Sequence, residues 1–255
     1  MSARHIFELN GRKAIVTGAA GGIGRELAVA LAEMGADLAL VDINEQGLSQ
    51  VAGEVSNRGK KVLICKTDVT RSSDVKKMVD KVVAEWGRID ILVNCAGISH
   101  HAPTEDLREE DWDRVVDVNL KSTFLCCQAV GRTMIANRRG KIINIASMSA
   151  HIINRPIRQS HYHASKAGVV ALTKSLAAEW AEYNINVNCI SPGYIDTGMT
   201  VATALQYYDQ WKALTPLGRL GRPSEILGAV IYLASDASSF TTGEELIIDG
   251  GYTLW

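Results

Sequence analysis

The chain carries almost no net charge. Its 27 basic residues face 28 acidic ones, leaving −1 at neutral pH, so no basic face points to nucleic acid as a partner. No apolar run is long enough to cross a bilayer, and the first residues, Met1 to Glu8, lack the long apolar core of a secretion signal. Cysteine is scarce and unpatterned, with five residues and no Cys-x-x-Cys spacing. Cys126 and Cys127 are adjacent, and Cys65, Cys95 and Cys189 lie in apolar segments, which reads as buried free thiols in a reducing cytoplasm rather than a metal–thiolate site. There is no repeat, low-complexity tract or linker. The expectation is a cytoplasmic protein with neither a membrane nor a nucleic-acid partner. Its 255 residues, 47% of them hydrophobic, suit one α/β domain.

Strand and helix patterns alternate nearly end to end. Short apolar strands are expected at Lys13 to Val16, Asp37 to Asp42, Lys61 to Lys66, Ile89 to Val93, Lys141 to Ser147, Asn184 to Ile190 and Leu246 to Asp249. Between them, helical spacing is clear at Leu27, Ala30, Leu31 and Met34, and again at Val75, Met78, Val79, Val82, Val83 and Trp86. Gly35 reads as a C-cap, Asn44 as an N-cap and Pro223 as a helix N1 residue. Residues 108–138 read as two helical stretches, and His161 to Tyr183 as a long helix. This order predicts a doubly wound, seven-stranded parallel sheet with helices on both faces and right-handed crossovers. Residues 194–222 are the least regular part and are expected to form a lid over a site.

Two local signals carry chemistry. Gly18, Gly22 and Gly24 lie between a strand and a helix, where small residues admit a pyrophosphate and the helix N-terminus offers free N–H groups to it. The spacing is Gly-x-x-x-Gly-x-Gly rather than Gly-x-Gly-x-x-Gly. Asp42 ends the second strand, eighteen residues after Gly24. A carboxylate there accepts ribose hydroxyls and repels a 2′-phosphate, and no Lys or Arg stands inside the loop, so NAD is expected in preference to NADP. The second signal is Tyr162-His-Ala-Ser-Lys166. Residues four apart share a helix face, so a phenol stands beside an ammonium. A phenol titrates near ~10 in water; bringing it to about 7 takes about 4 kcal/mol of preferential stabilisation of the phenolate, and a neighbouring cation acts in that direction. Taken singly, each signal has a plainer reading: a glycine turn without ligand, a solvated acid, a chance Tyr–Lys pair.

In combination they resemble the short-chain dehydrogenase/reductase family over essentially the whole chain. Its glycine motif corresponds to Thr17 to Gly24, its Asp-Val to Asp68-Val69, and its Asn-Asn-Ala-Gly to Asn94-Cys95-Ala96-Gly97, with Cys95 in place of the second Asn. Its helix Asn corresponds to Asn119, its strand-five serine to Ser147, its Tyr-x-x-x-Lys to Tyr162 and Lys166, and its Pro-Gly…Thr to Pro192, Gly193 and Thr197. Ser149 would give the more usual thirteen-residue spacing to Tyr162, but Gly140 to Ser147 aligns without a gap. Within the family, Ser147 to Pro156 and the ending Asp249 to Trp255 resemble polyol and ketose dehydrogenases, the galactitol type in particular.

The resemblance implies a catalytic set of Asn119, Ser147, Tyr162 and Lys166. Tyr162 would act as general acid/base, Ser147 would donate to the reacting oxygen, and Lys166 would hold ribose hydroxyls and lower the phenol pKa. Asn119 would help organise a proton-relay water. NAD would lie against Gly18, Gly22, Ile23, Gly24, Asp42, Asp68, Val69, Asn94, Ala96 and Gly97, and, around the nicotinamide, Tyr162, Lys166, Pro192, Gly193, Ile195 and Thr197. Ser147, Ser149, Asn154, Tyr162 and Tyr194 would bind substrate. His100, His101, His151, His161 and His163, with Arg155 and Arg158, are expected to rim the cleft. Such a rim suits a polyhydroxylated small molecule, or a carboxylated, phosphorylated or sulfonated sugar through Arg. A 3-oxoacyl reductase shares the same motifs and stands as an alternative, as does, more remotely, a nucleotide-sensing binding protein without activity. The family further implies a homotetramer, with Tyr252 to Trp255 buried between subunits, and in some members a divalent cation near the C-terminus.

Overall fold

The structure is a computed structural model that describes residues 4–197 and 205–255. Seven strands form it: β1 (Lys13–Thr17), β2 (Asp37–Asp42), β3 (Val62–Lys66), β4 (Ile91–Asn94), β5 (Gly140–Ile145), β6 (Ile185–Pro192) and β7 (Glu245–Ile248). They are all parallel, in the order β3-β2-β1-β4-β5-β6-β7. The described helices are α1 (Gly22–Glu33), α2 (Glu45–Ser56), α3 (Ser72–Trp86), α4 (Glu109–Val116), α5 (Ser122–Asn137), α6 (Ser160–Trp180), α7 (Tyr208–Leu214) and α8 (Ser224–Ala234).

Strand alternation divides the core between the two faces. Ala14 and Val16 of β1, with Leu38 and Leu40 of β2, pack on the side of α1, α2 and α8. Ile15, Ala39 and Val41 pack on the side of α3 and α5. A strand buried on both faces reads as a continuous apolar run, which is why these strands are legible in the sequence.

Local signals terminate the elements as expected. Asn44 caps α2, its Oδ1 accepting from the Gly47 N–H at 3.1 Å. Gly35 follows α1 with a positive φ of 112°. Boundaries shift slightly: β4 begins at Ile91 rather than Ile89, and β5 ends at Ile145 rather than Ser147. The two helical stretches expected over 108–138 are α4 and α5, joined without a break by a turn of π-helix, Asp117–Lys121.

The sheet reverses its winding between β1 and β4. Ligands of doubly wound sheets bind in the crevice beyond the strand C-termini at such a reversal. Of the expected lid over 194–222, residues 198–204 lie outside the described residues.

Candidate active site

One cavity of about 930 Å³ lies along the carboxyl ends of the strands. Gly18, Gly22, Ile23 and Gly24 line one end, with Asp42, Asp68 and Val69 beside them. The loop depends on the absence of side chains. A Cβ on Gly24 would stand 2.1 Å from the Gly18 carbonyl oxygen, and one on Gly18, at φ +69°, 2.9 Å from the Ala96 backbone. The first N–H groups of α1 have no partner within the helix and belong to residues lining this end. The Asp42 carboxylate holds the loop in place, accepting from the Ala20 N–H at 3.2 Å and the Asn44 N–H at 3.0 Å. Arg25, just beyond the loop, is held by Glu54 at 2.9 Å. Asp68 accepts from the Thr70 hydroxyl and N–H, and these bonds hold its carboxyl below the ordinary value. An open backbone cradle at a helix N-terminus, with an acid at the end of β2, fits the diphosphate and ribose of a dinucleotide.

The middle of the cavity is lined by Ala96, Gly97, Lys166, Pro192, Gly193, Ile195 and Thr197. Asn94, expected from sequence as a cofactor contact, is not among the residues that line it. Its side chain is buried within the sheet layer, its Nδ2 donating to Asn144 Oδ1 at 2.9 Å. Asn119 also stays out of the cavity lining. It sits in the π-helical turn and clamps Ile98: its Oδ1 accepts from the Ile98 N–H at 2.9 Å and its Nδ2 donates to the Ile98 carbonyl at 3.0 Å. Both Asn119 Oδ1 and Lys166 Nζ come within 3.5 Å of the space directly above Gly97.

At the other end stand Ser147, Ser149, Asn154, Tyr162 and Tyr194. Ser147 caps a short 3₁₀ turn after β5, its Oγ accepting from the Ser149 N–H at 3.1 Å. Lys166 Nζ donates to the Ile145 carbonyl at 2.8 Å and lies 5.7 Å from the centre of the Tyr162 ring. The electrostatics differ from expectation. Burial raises the Tyr162 phenol above its ordinary value, while a hydrogen bond with Ser147 acts to lower it. Burial also brings Lys166 down to about 8. Burial therefore works against the charged form of both groups.

The polar rim is narrower than expected. Of the five histidines, only His101 lines the cavity. His163 reaches it indirectly, through Asn154 at 3.0 Å. His161 is fully buried against His100 and Trp112, and His151 pairs with Glu245 at 2.6 Å. Arg155 and Arg158 are exposed and do not line the cavity; Arg114 does. Sequence reasoning missed Gln159, Ile157 and Trp211, which complete the wall. Gln159 immediately precedes α6, the helix that carries Tyr162, and that position was its available signal. Trp211 arrives from the irregular segment and stacks on Tyr194 at 3.9 Å between ring centres. Tyr252 closes edge-on to Tyr194 at 5.3 Å, so it is buried within its own chain while Leu254 and Trp255 stay exposed.

Residues 18–253 match a family described as enoyl-(acyl carrier protein) reductase. The chain is 41% identical to the NADP-dependent mannitol dehydrogenase of Hypocrea jecorina, over 97% of this chain and 94% of that protein. It is 43% identical to the NAD-dependent glycerol dehydrogenase of Listeria innocua, over 97% and 96%. This chain belongs to the short-chain dehydrogenase/reductase family. A crystal structure of a short-chain type dehydrogenase/reductase from Mycobacterium marinum superposes with a TM-score of 0.97 at 45% identity, covering 99% of both chains. As a short-chain dehydrogenase/reductase it is an oxidoreductase. Among the described residues, no helix is long and apolar enough to cross a membrane. No group of three or more His, Cys, Asp or Glu converges as a metal site among them either, so the C-terminal cation suggested by the resemblance has no such cluster there.

Proposed function

We propose that this enzyme transfers hydride between a secondary alcohol of a polyol or sugar and NAD, with Tyr162 as general acid/base. The observation that carries the reading is the wall opposite the glycine loop. Ser147, Ser149, Asn154, Gln159 and the Tyr194 hydroxyl form a continuous hydrogen-bonded surface at the same end as Tyr162. A buried wall of that kind discriminates by hydroxyl pairing and suits an acyl chain poorly.

When bound, the nicotinamide supplies the site of hydride gain or loss. Tyr162 takes the carbinol proton during oxidation and returns it during reduction. Ser147 donates to the oxygen on which charge develops. Lys166 holds ribose hydroxyls, with its backbone anchor at Ile145 fixing its reach. Asn119 is a positioning residue: its clamp on Ile98 sets the chain beside Lys166, where a relay water would sit. Burial keeps the phenol protonated at neutral pH, ready to act as acid. Oxidation therefore needs positive charge from the oxidised cofactor to release that proton.

Asp42 supports NAD, because its carboxylate would face a 2′-phosphate and Arg25 is already held by Glu54. The exposed Trp112 and Phe124 on α4 and α5, and Leu254 and Trp255 at the C-terminus, offer apolar surface for association into a homotetramer. The test is reduced-cofactor absorbance with NAD⁺ and, separately, NADP⁺ across polyols, sugars and sugar acids. NAD-linked turnover of one stereochemical series is expected. Cofactor binding with no turnover of any carbinol would reject the assignment.

A further inference from the structure

Among the described residues, two lysine or arginine side chains line the cavity, Lys166 and Arg114. Residues 198–204 contain neither residue type. The two cations face three carboxylates, Asp42, Asp68 and Asp117. Lys166 is committed: it is buried, and its Nζ donates to the Ile145 carbonyl at 2.8 Å. Arg114 is uncommitted. It is exposed on α4, and its guanidinium makes no hydrogen bond or ion pair among the described residues. Its charge is felt at Asp111, behind those of Arg108 and His100. The arginines beside the glycine loop and the Asp68 loop are both occupied, Arg25 by Glu54 at 2.9 Å and Arg71 by Asp68 at 3.2 Å.

Arg114 belongs to the cofactor half of the cavity. It stands about one helical turn before Val118, on the same side of the helix, and both residues line the cavity. The π-helical turn that carries Asp117 and Val118 ends at Lys121. The Asp68 carboxyl is held below its ordinary value by its bonds from Thr70 and, in smaller measure, by the charges of Arg71 and Lys121. The turn therefore runs beside the Asp68 loop. What this half must hold is negative charge. A diphosphate carries one negative charge per phosphate, and the start of α1 offers roughly half a positive charge. The glycine loop adds N–H groups but no cation, and the Asp42 carboxylate opposes an anion.

We propose that Arg114 is a cofactor-binding residue whose guanidinium donates to the diphosphate and supplies the positive charge that the glycine loop lacks. Binding breaks no ion pair at Arg114, whereas Arg25 would have to leave Glu54. The choice between NAD and NADP stays with Asp42, because the diphosphate is common to both. This rests on the dinucleotide reading above and adds to it a residue outside the glycine motif and the Tyr162–Lys166 pair.

The test is titration of the intact chain with NADH, followed by fluorescence, with ADP-ribose and adenosine as displacing fragments. Arg114→Gln should weaken NADH and ADP-ribose alike by about tenfold, the scale of one charge-assisted hydrogen bond, and leave adenosine within about twofold. Arg114→Lys should recover part of the loss, since a point charge replaces a planar fork. Raising salt from about 0.01 M to about 1 M shortens the screening length from about 30 Å to about 3 Å, and should weaken NADH binding more in the wild type than in Arg114→Gln. Circular dichroism checks that the variants are folded. Unchanged NADH and ADP-ribose affinity in Arg114→Gln, an equal loss for adenosine, or a salt dependence equal to that of the wild type would overturn the inference and leave the oxidoreductase reading intact. So would a raised KM for the alcohol at unchanged ADP-ribose affinity, which would put Arg114 against substrate. Failure of the wild type to bind NADH, NADPH or ADP-ribose would overturn both.

Discussion

The surroundings of Tyr162 oppose its ionisation. Burial favours the neutral phenol, and the nearby lysine is itself depressed to about 8 by the same burial. Tyr162→Phe should lower kcat by at least 10³-fold while leaving cofactor affinity within about threefold, as read by NADH fluorescence. Substantial residual turnover would remove the acid/base assignment. The same geometry gives a sign to the pH dependence. Oxidation needs the phenolate, so its kcat/KM should climb as pH rises, while ketone reduction needs the phenol and should fall on the alkaline side. Asp42 acts at the other end of the cavity. Asp42→Ala should cut the NAD-over-NADP ratio of kcat/KM by roughly 10-fold or more, since one repelled charge is removed; an unchanged ratio would show that another group sets cofactor choice. Tyr162, Lys166 and Ser147 were legible because their spacing is tied to a helix and a strand end. Gln159 and Trp211 were not, because nothing in the local pattern says which loop residues a fold will bring to one wall.

At the scale of elements, the glycine loop is a packing solution before it is a binding site. Gly24, in the first turn of α1, lies against the Gly18 carbonyl with no room for a methyl group. Gly24→Ala must displace either the loop or the helix start, and should weaken NADH binding by about 10²-fold, measured by fluorescence titration, with the fold retained by circular dichroism. Binding at wild-type strength would mean that the cradle does not hold the cofactor. The π-helical turn Asp117–Lys121 plays a comparable part between α4 and α5. It places Asn119 against Ile98 and brings Asp117 and Val118 to the cavity. The sequence shows helical periodicity on either side but not the extra residue in the turn, because a single widened turn hardly alters a hydrophobic pattern.

For the whole molecule, the five thiols and two buried lysines predict alkaline behaviour. Burial raises all five cysteines, with Cys95, Cys126 and Cys189 reaching about 12. A group whose folded pKa lies above its unfolded value contributes stability that is complete below the unfolded value of 9.0 and is lost as pH rises toward the folded one. Lys141 and Lys166, both lowered to about 8 from 10.5, act in the opposite sense between those values. Thiols outnumber lysines, so stability should fall above pH 9, by on the order of 4 kcal/mol per pH unit at most. Urea midpoints between pH 9 and 10 measure it. A Cys126→Ala/Cys127→Ala double variant should show a shallower fall than wild type, whatever its stability at pH 8; equal slopes would reject the thiol explanation.

What the sequence determined by itself was the alternation of elements, the parallel sheet and the placing of Tyr162 beside Lys166 on one helix face. Those depend on local periodicity and on spacings within one helix or one turn: β1 and β2 are apolar because both faces are covered, and Tyr162 and Lys166 meet because four residues make a helical turn. Tertiary structure alone decided which side chains share the cavity. It placed Asn94 within the sheet layer, turned His161 and His151 away from the cleft, and brought Gln159, Trp211 and Tyr252 toward Tyr194. It also set the direction in which burial pushes the pair at the centre, against the charged form of each, because desolvation is a property of everything packed around a group and not of its neighbours in the chain.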